Sequence, residues 1–132
     1  MIFVDTNVFM YAVGGAHPLR EPARAFFLEA RRERTPLCTS AEVLQELMHV
    51  YLRTERQEAL DAAWSLVTRF AFDVWALERD DVELARQLAG TYPGLEPRDL
   101  CHLASCRRRR VTEMKTFDRA LGAAALGPAA GA

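Results

Sequence analysis

The sequence is poor in lysine, in cysteine and in long apolar segments. Lys115 is the only lysine among 17 basic residues. The three cysteines are odd in number and lack Cys-x-x-Cys spacing, which argues against a disulfide framework and a zinc site and favours a reducing compartment. No stretch approaches the ~20 apolar residues of a membrane helix, and no basic segment typical of a signal peptide is present. We therefore expect a cytoplasmic protein without membrane contact.

Charge is nearly balanced, at a formal net value of -1 over 132 residues, half of them hydrophobic. This length and composition predict a single domain over residues 1–132, with the Ala/Gly-rich residues 122–132 as a flexible or short helical tail. Because the net charge is not positive, nucleic-acid contact would require a local basic patch. The most basic segment, residues 107–110, is interpreted as a solvated helix end, with contact to phosphate or to a protein partner as the alternatives.

Short apolar or β-prone segments alternate with helical patterns along the chain. Strands are predicted at residues 2–5, 37–39 and 70–75, and within 111–117. Helices are predicted at 19–34, at 40–53 with Ser40 as N-cap, at 54–69 with Thr54 as N-cap, at 78–89 and at 98–109. This alternation predicts an α/β fold, in three α/β/α layers, with a central mostly parallel sheet of about four or five strands.

Acidic residues follow the first and last predicted strands. Asp5 ends the first strand and Asp118 the last, and ligands of parallel sheets bind beyond the carboxyl ends of the strands. Asp99 lies in the first turn of a predicted helix, where an aspartate also interacts favourably with the helix dipole, by ~0.3–1 kcal/mol. A structural capping role is therefore the alternative for each of these residues.

Two glutamates compete on the helix after Ser40. At ~100° per residue, Glu46 falls at the border of the apolar face, whereas Glu42 lies further out and is interpreted as solvated or as a supporting group. We select Glu46 for the site. His102, one turn beyond Asp99, is interpreted as a hydrogen-bonded structural histidine, with assistance in the cleft as the alternative.

Converging carboxylates raise one another's pKa unless a cation is present. No lysine or arginine lies in the segments around Asp5 and Glu46. A cluster of oxygen ligands suits Mg²⁺ or Mn²⁺, and such a site can orient and acidify water for attack on a phosphodiester. The residues themselves therefore indicate metal-dependent cleavage of a phosphoryl bond.

Three other classes of protein share part of this pattern. A phosphatase of the haloacid-dehalogenase type would have a second aspartate where Asn7 stands. A receiver-type signalling domain would have an early acidic pair, and Asp5 has no acidic neighbour. A module that binds RNA or a partner without cleaving is the third alternative.

Four motifs together resemble PIN-domain proteins, and specifically the VapC-type toxins. They occur in the order Asp5-Thr6-Asn7, Glu46 six positions after Ser40, Arg98-Asp99-Leu100-Cys101-His102, and Thr116-Phe117-Asp118-Arg119. The resemblance extends from Met1 to about Leu121. It departs after Asp118, where such toxins commonly continue with an acidic residue and a phenylalanine.

This resemblance implies a PIN-like fold and a Mg²⁺-dependent endoribonuclease, with Mn²⁺ as a substitute, that leaves a 5′-phosphate and a 3′-hydroxyl. The implied catalytic residues are Asp5, Glu46, Asp99 and Asp118. Asp5 and Asp99 would bind the metal, with Glu46 and Asp118 binding directly or through water. Asn7 and Thr116 would orient these ligands or a water molecule.

The resemblance also implies partners: an RNA substrate, the cognate antitoxin of a type II toxin–antitoxin pair, and a second copy in a homodimer. An RNA-processing nuclease outside such a pair is the alternative. We name Arg98, Arg107 and Arg119 as candidate RNA contacts.

Overall fold

The computed structural model describes residues 1–127, apart from the side chains of residues 71 and 72. Its four strands form one parallel sheet in the order β3-β2-β1-β4. The strands are β1 (Ile2–Val4), β2 (Leu37–Ser40), β3 (Ala71–Trp75) and β4 (Glu113–Lys115). The expected α/β class and parallel sheet are confirmed, with four strands.

Seven helices accompany the sheet in the described part of the chain. They are α1 (Thr6–Val13), α2 (Arg20–Glu33), α3 (Ala41–Arg53), α4 (Gln57–Phe70), α5 (Arg79–Leu88), α6 (Pro97–Arg108) and α7 (Arg119–Leu126). Part of the segment expected to form a tail is therefore the end of α7, and residues 128–132 lie outside the described residues. Across residues 1–127, no helix combines the length and the apolarity needed to span a membrane.

Helix boundaries follow local capping chemistry. Ser40 caps α3 as expected, because its hydroxyl accepts from the Val43 backbone N–H at 3.2 Å. The prediction that Thr54 caps the next helix is wrong. Thr54 instead ends α3, where its hydroxyl donates to the Val50 carbonyl at 2.9 Å. A threonine hydroxyl can serve either helix end in this way, because it both donates and accepts.

The order of the strands determines which face each helix covers. The chain moves from β1 to β2 to β3 in one direction and then returns across the sheet to β4. With right-handed crossovers, α1 to α4 cover one face, and α5 and α6 cover the other. Two buried apolar clusters match these layers, one centred on Phe3, Phe9 and Leu47, the other on Leu100, Leu103 and Leu121.

Candidate active site

The direction of the chain reverses between β1 and β4, and such a switch point is where parallel sheets bind ligands. Asp5 lies there, directly after β1, and is 5% exposed. Its Oδ1 accepts from the Thr6 backbone N–H at 2.7 Å, and this bond caps α1. Its Oδ2 accepts from Thr116 Oγ1, also at 2.7 Å. The carboxylate is thus fixed by hydrogen bonds from the segments that follow β1 and β4, the two strands that border the switch point.

Asn7 and Thr116 connect the start of α1 with the loop after β4. Asn7 Nδ2 lies 3.2 Å from Thr116 Oγ1 and 3.3 Å from Asp5 Oδ2. The Asn7 side-chain oxygen accepts from the Phe117 N–H at 3.1 Å, and Thr116 Oγ1 accepts from the Asp118 N–H at 3.0 Å. These bonds fix the position of Asp5 relative to the loop that carries Asp118.

Glu46 and Asp5 meet around His102. Glu46 Oε2 accepts from Thr6 Oγ1 at 2.6 Å, and its Oε1 lies 3.2 Å from His102 Nε2. The same nitrogen is 3.7 Å from Asp5 Oδ1. One ligand atom from each of Asp5, Glu46 and His102 lies within 4.8 Å of the others. His102 is hydrogen-bonded, as expected, but it also belongs to the cluster, which the sequence interpretation treated as the lesser alternative.

Burial and hydrogen bonding shift the pKa values of this cluster in different directions. At Asp5 burial is the largest effect and raises the pKa, against His102 and the hydrogen bonds from Thr116 and Thr6. Burial acts the same way at Glu46, but the hydrogen bonds from His102 and Thr6 outweigh it and lower the pKa. Burial disfavours protonation of His102, yet the bond to Glu46 and the charge of Asp5 raise its pKa.

Asp99 and Asp118 border the same space but also cap helices. Asp99 Oδ2 accepts from the Glu96 N–H at 3.3 Å, and Asp118 Oδ1 accepts from the Leu121 N–H at 3.0 Å. Burial is the main cause that raises the pKa of Asp99, and the charges of Asp118 and Asp5 add to it. These three carboxylates therefore act on one another electrostatically, although Asp99 and Asp118 lie outside the tight group around His102 on the described part of the chain.

Positive charge reaches the site from α6 rather than from the segments of Asp5 and Glu46. Arg98 Nε lies 4.0 Å from Glu46 Oε1, beside the contact of Glu46 with His102. Of the two interpretations of Glu42, as a solvated residue or as a supporting group, the first is wrong and the second stays a prediction. Glu42 Oε2 is buried and has no hydrogen-bond partner within residues 1–127, and burial raises the pKa of this carboxyl.

The residues present fit a hard divalent cation. Asp5 and Glu46 bring carboxylate oxygens within 4.8 Å of each other, and the charges of Glu46 and Asp5 reach Glu42 and Asp99. Positive charge comes to this group from His102 and Arg98. The Glu42 oxygen is buried without a partner in the described chain, and burial raises the pKa values of Asp5 and Asp99, so a bound cation would stabilise their charged forms. Carboxylate oxygens are the ligands that Mg²⁺ prefers.

In the basic segment 107–110, the interpretation as a solvated helix end is wrong for Arg108 and Arg109. Arg108 and Arg109 each place Nη1 on Asp81 Oδ1, at 2.7 and 2.9 Å, and the Asp81 side chain is fully buried. Arg109 also lies over the Trp75 ring, 4.8 Å from its centroid. Because a buried carboxylate requires a paired cation, these arginines attach α6 to α5. Their role is structural.

The three arginines named as RNA contacts differ in their surroundings. Arg98 is exposed next to Glu46, and Arg119 is exposed at the start of α7. Arg107 donates to the Tyr92 hydroxyl at 2.8 Å and lies over its ring. Arg98 is thus the one of the three that contacts a residue of the carboxylate site.

Comparison with known proteins adds independent evidence. The PIN-domain profile matches residues 2–126. Ribonuclease VapC23 of Mycobacterium tuberculosis is 52% identical over 124 residues, 94% of this chain and 98% of the relative. Ribonuclease VapC13 of the same species is 38% identical over 119 residues, 90% of this chain and 91% of the relative.

A solved structure shares the fold. The crystal structure of M. tuberculosis VapC20, described as a sarcin–ricin loop cleaving toxin, has a TM-score of 0.74 and 22% identity, and the match covers 94% of this chain and 95% of that one. Profile and relatives each match nearly the whole chain. The chain therefore belongs to the PIN-domain family, among its VapC-type ribonucleases.

Proposed function

We propose that the chain is a Mg²⁺-dependent endoribonuclease that hydrolyses RNA phosphodiester bonds. The observation that carries the proposal is the meeting of Asp5 and Glu46, from different parts of the chain, at the switch point of the sheet. Asp99 lies near enough for the charges of Asp118 and Asp5 to raise its pKa, after burial, and this supports the proposal, as does the similarity to proteins named ribonucleases.

In this proposal Asp5 and Asp99 hold the ion, and Glu46 and Asp118 bind it directly or through water. When bound, Mg²⁺ lowers the pKa of a coordinated water and screens phosphate charge. Thr116 orients the Asp5 carboxylate, since it donates to Oδ2, and Oδ1, which accepts only from the Thr6 N–H within the described hydrogen bonds, keeps capacity for the ion.

The remaining polar groups around the carboxylates have supporting roles. Thr6 and His102 hold the two Glu46 oxygens in one orientation. Arg98, exposed beside Glu46, lies where it can contact a substrate phosphate. The cleavage would leave a 5′-phosphate and a 3′-hydroxyl, as in the proteins that the sequence resembles.

The decisive test is the dependence of RNA cleavage on metal and on Asp5. We expect the purified chain to cut structured RNA with Mg²⁺ or Mn²⁺ and to be inactive in EDTA. Asp5→Asn should reduce cleavage by more than about 100-fold, because it removes a metal ligand. Asp61→Asn, an equivalent change on the exposed side of α4, should have no effect. Full metal-dependent activity of Asp5→Asn would overturn the proposal.

Two other results would point to a different function. Hydrolysis of para-nitrophenyl phosphate without cleavage of RNA would indicate a metal-dependent phosphatase. Binding of RNA without cleavage at any metal concentration would indicate a module that has a PIN fold but no catalytic activity.

We further propose that this nuclease is the toxin of a type II toxin–antitoxin pair, active in the cytoplasm as a homodimer and inhibited by a cognate antitoxin. The similarity to VapC20, which is described as a toxin, supports this setting. Expression of the wild-type chain should then arrest bacterial growth, and Asp99→Ala should not. Harmless expression of an enzyme that is active in vitro would point to an RNA-processing role instead. Analytical ultracentrifugation would test the dimer.

A further inference from the structure

A basic site, separate from the carboxylate cluster, lies at the opposite edge of the sheet. Between the C-terminal ends of α2 and α4 there is a cavity of about 450 Å³. Arg31, Arg34 and Arg69 line it together with apolar side chains, among them Leu37 and Phe70. Leu37 begins β2 and Phe70 precedes β3, so the cavity is at the amino ends of the strands, away from the carboxylate cleft.

The three arginines carry charge that is not used elsewhere in the fold. All three are exposed, and within residues 1–127 none of them forms an ion pair with a carboxylate. By contrast, Arg108 and Arg109 are bound to Asp81. In a chain with a net charge of -1, these three guanidinium groups form a local positive patch with a defined cavity.

From this we propose that the cavity binds the phosphate backbone of RNA, at a distance from the cleavage site. The inference rests on the proposed ribonuclease function. Planar guanidinium groups bind phosphate oxygens in pairs, and a volume of this size accommodates a ligand as large as a nucleotide. Phe70, which is partly exposed at the cavity, offers an aromatic ring on which an unpaired base can stack, and this favours RNA over an acidic protein segment.

One RNA molecule can reach both sites. The strands of the sheet have three to five residues, so at ~3.3 Å per residue its two edges are roughly 10–17 Å apart. This is the direct distance through the sheet, and an RNA has to follow the protein surface, so at ~3.4 Å per stacked nucleotide it needs more than about three to five nucleotides to contact both sites. The cavity would therefore select longer or folded RNA and would not take part in bond cleavage.

The test compares variants of the full-length chain in an Asp5→Asn background, with Mg²⁺ present, by fluorescence anisotropy of a labelled RNA hairpin. Arg31→Gln and Arg69→Gln each remove one charge from a helical position. Arg34→Gly removes the third, and since Arg34 has a left-handed φ of 55°, glycine is tolerated there without loss of folding. Arg86→Gln is the matched control, because Arg86 is exposed on α5 and does not line the cavity.

Each cavity variant should bind the hairpin about two- to fivefold more weakly, the range expected for an exposed charge pair. Each should also lower the slope of log affinity against log salt concentration by about 1, and the control should leave both values unchanged. In the background with Asp5 restored, KM for long RNA should rise while kcat stays constant.

Two results would overturn the inference. The first is a triple variant that binds the hairpin with the affinity and salt slope of Arg86→Gln. The second is a triple variant that keeps RNA binding but loses binding of a polyglutamate peptide, which would assign the cavity to an acidic protein segment. Both results are measured by binding and do not depend on cleavage. If the chain binds RNA through these arginines but never cuts it, the proposed function fails and the inferred binding site stands.

Discussion

At the scale of single residues, the Asp5 carboxylate is fixed by donors on both of its oxygens. Thr6 N–H holds Oδ1, and Thr116 and Asn7 hold Oδ2. An ionised carboxylate offers about four acceptor sites, so these bonds orient the group and leave capacity for a cation. Of the two side-chain donors to Asp5, the Thr116 hydroxyl forms the shorter hydrogen bond, at 2.7 Å against 3.3 Å for Asn7. It is also the donor that can be removed with the least change of side-chain shape.

Thr116→Val should therefore lower cleavage activity without unfolding the chain. The loss of a hydrogen bond to a charged group corresponds to about 1.5–3 kcal/mol, or at least about a tenfold fall in kcat. Thr116→Ser retains the hydroxyl and should keep most of the activity. Single-turnover cleavage at saturating Mg²⁺, with thermal unfolding of each variant, measures this. Equal rates for the valine and serine variants would show that the hydroxyl does not position Asp5.

Sequence patterns predicted the acidic residues of this site better than its basic ones. Asp5 and Asp118 follow strands, and the carboxyl ends of parallel strands meet at one edge whatever the details of packing. His102 depends on the rotation of α6 relative to the sheet, which helical spacing alone does not determine. The spacing from Asp99, three residues or one turn, was a usable signal, because it places both side chains on the same face.

At the scale of elements, α6 connects the site with the interior of the fold. Its first half carries Asp99 and His102. Arg108 in its last turn and Arg109, its C-cap, are paired with Asp81 of α5. The sequence interpretation missed this pairing because Asp81 lies in the first turn of α5, where an acidic residue is already explained by the helix dipole. Long-range partners of this kind are visible only once the helices are packed.

The Asp81 pair should make stability depend on pH. Burial by itself would raise the Asp81 pKa, but the hydrogen bonds from Arg109, Glu78 and Arg108 outweigh it and lower the pKa. A lowered carboxyl pKa stabilises the fold above the unfolded value of ~3.9, and this stability is lost as the pH falls through the folded value.

Asp81→Asn should therefore cost about 3 kcal/mol near neutral pH, the lower end of the range for breaking a buried pair, because both arginines are partly exposed. The difference from wild type should stay constant above about pH 5 and shrink as the pH falls below about 4. Urea unfolding across this range measures it. The control is Asp80→Asn, an exposed carboxylate 3.6 Å from Arg108, which should change stability by less than about 1 kcal/mol. A difference that does not vary with pH would contradict the assignment.

At the scale of the whole molecule, the parallel order β3-β2-β1-β4 concentrates acid at one edge of the sheet in a chain whose net charge is close to zero. Asp5, Glu46, Asp99 and Asp118 come from four separate segments, and they approach one another only when the sheet and its helices are assembled. Burial first, and neighbouring carboxylates second, disfavour the charged forms of Asp5 and Asp99 in the folded chain. A bound cation would offset this cost, so folding and metal binding should be thermodynamically linked.

Mg²⁺ should raise the thermal midpoint of the wild-type chain. At about 100 times the dissociation constant a ligand adds about 2.7 kcal/mol to stability, which for a chain of this length corresponds to roughly 10 °C. The pKa values of Asp5 and Asp99 are raised by burial first, so protons compete with the metal at higher pH than for ordinary carboxyls. The shift should accordingly be larger near pH 8 than near pH 5, since the ligands bind deprotonated.

Differential scanning fluorimetry with and without EDTA measures this shift of the thermal midpoint. Asp61→Asn should behave as wild type, and Asp5→Asn should lose most of the shift. If Asp5→Asn is stabilised as strongly as wild type, the ion binds elsewhere on the protein and the carboxylates at the sheet edge are not its ligands.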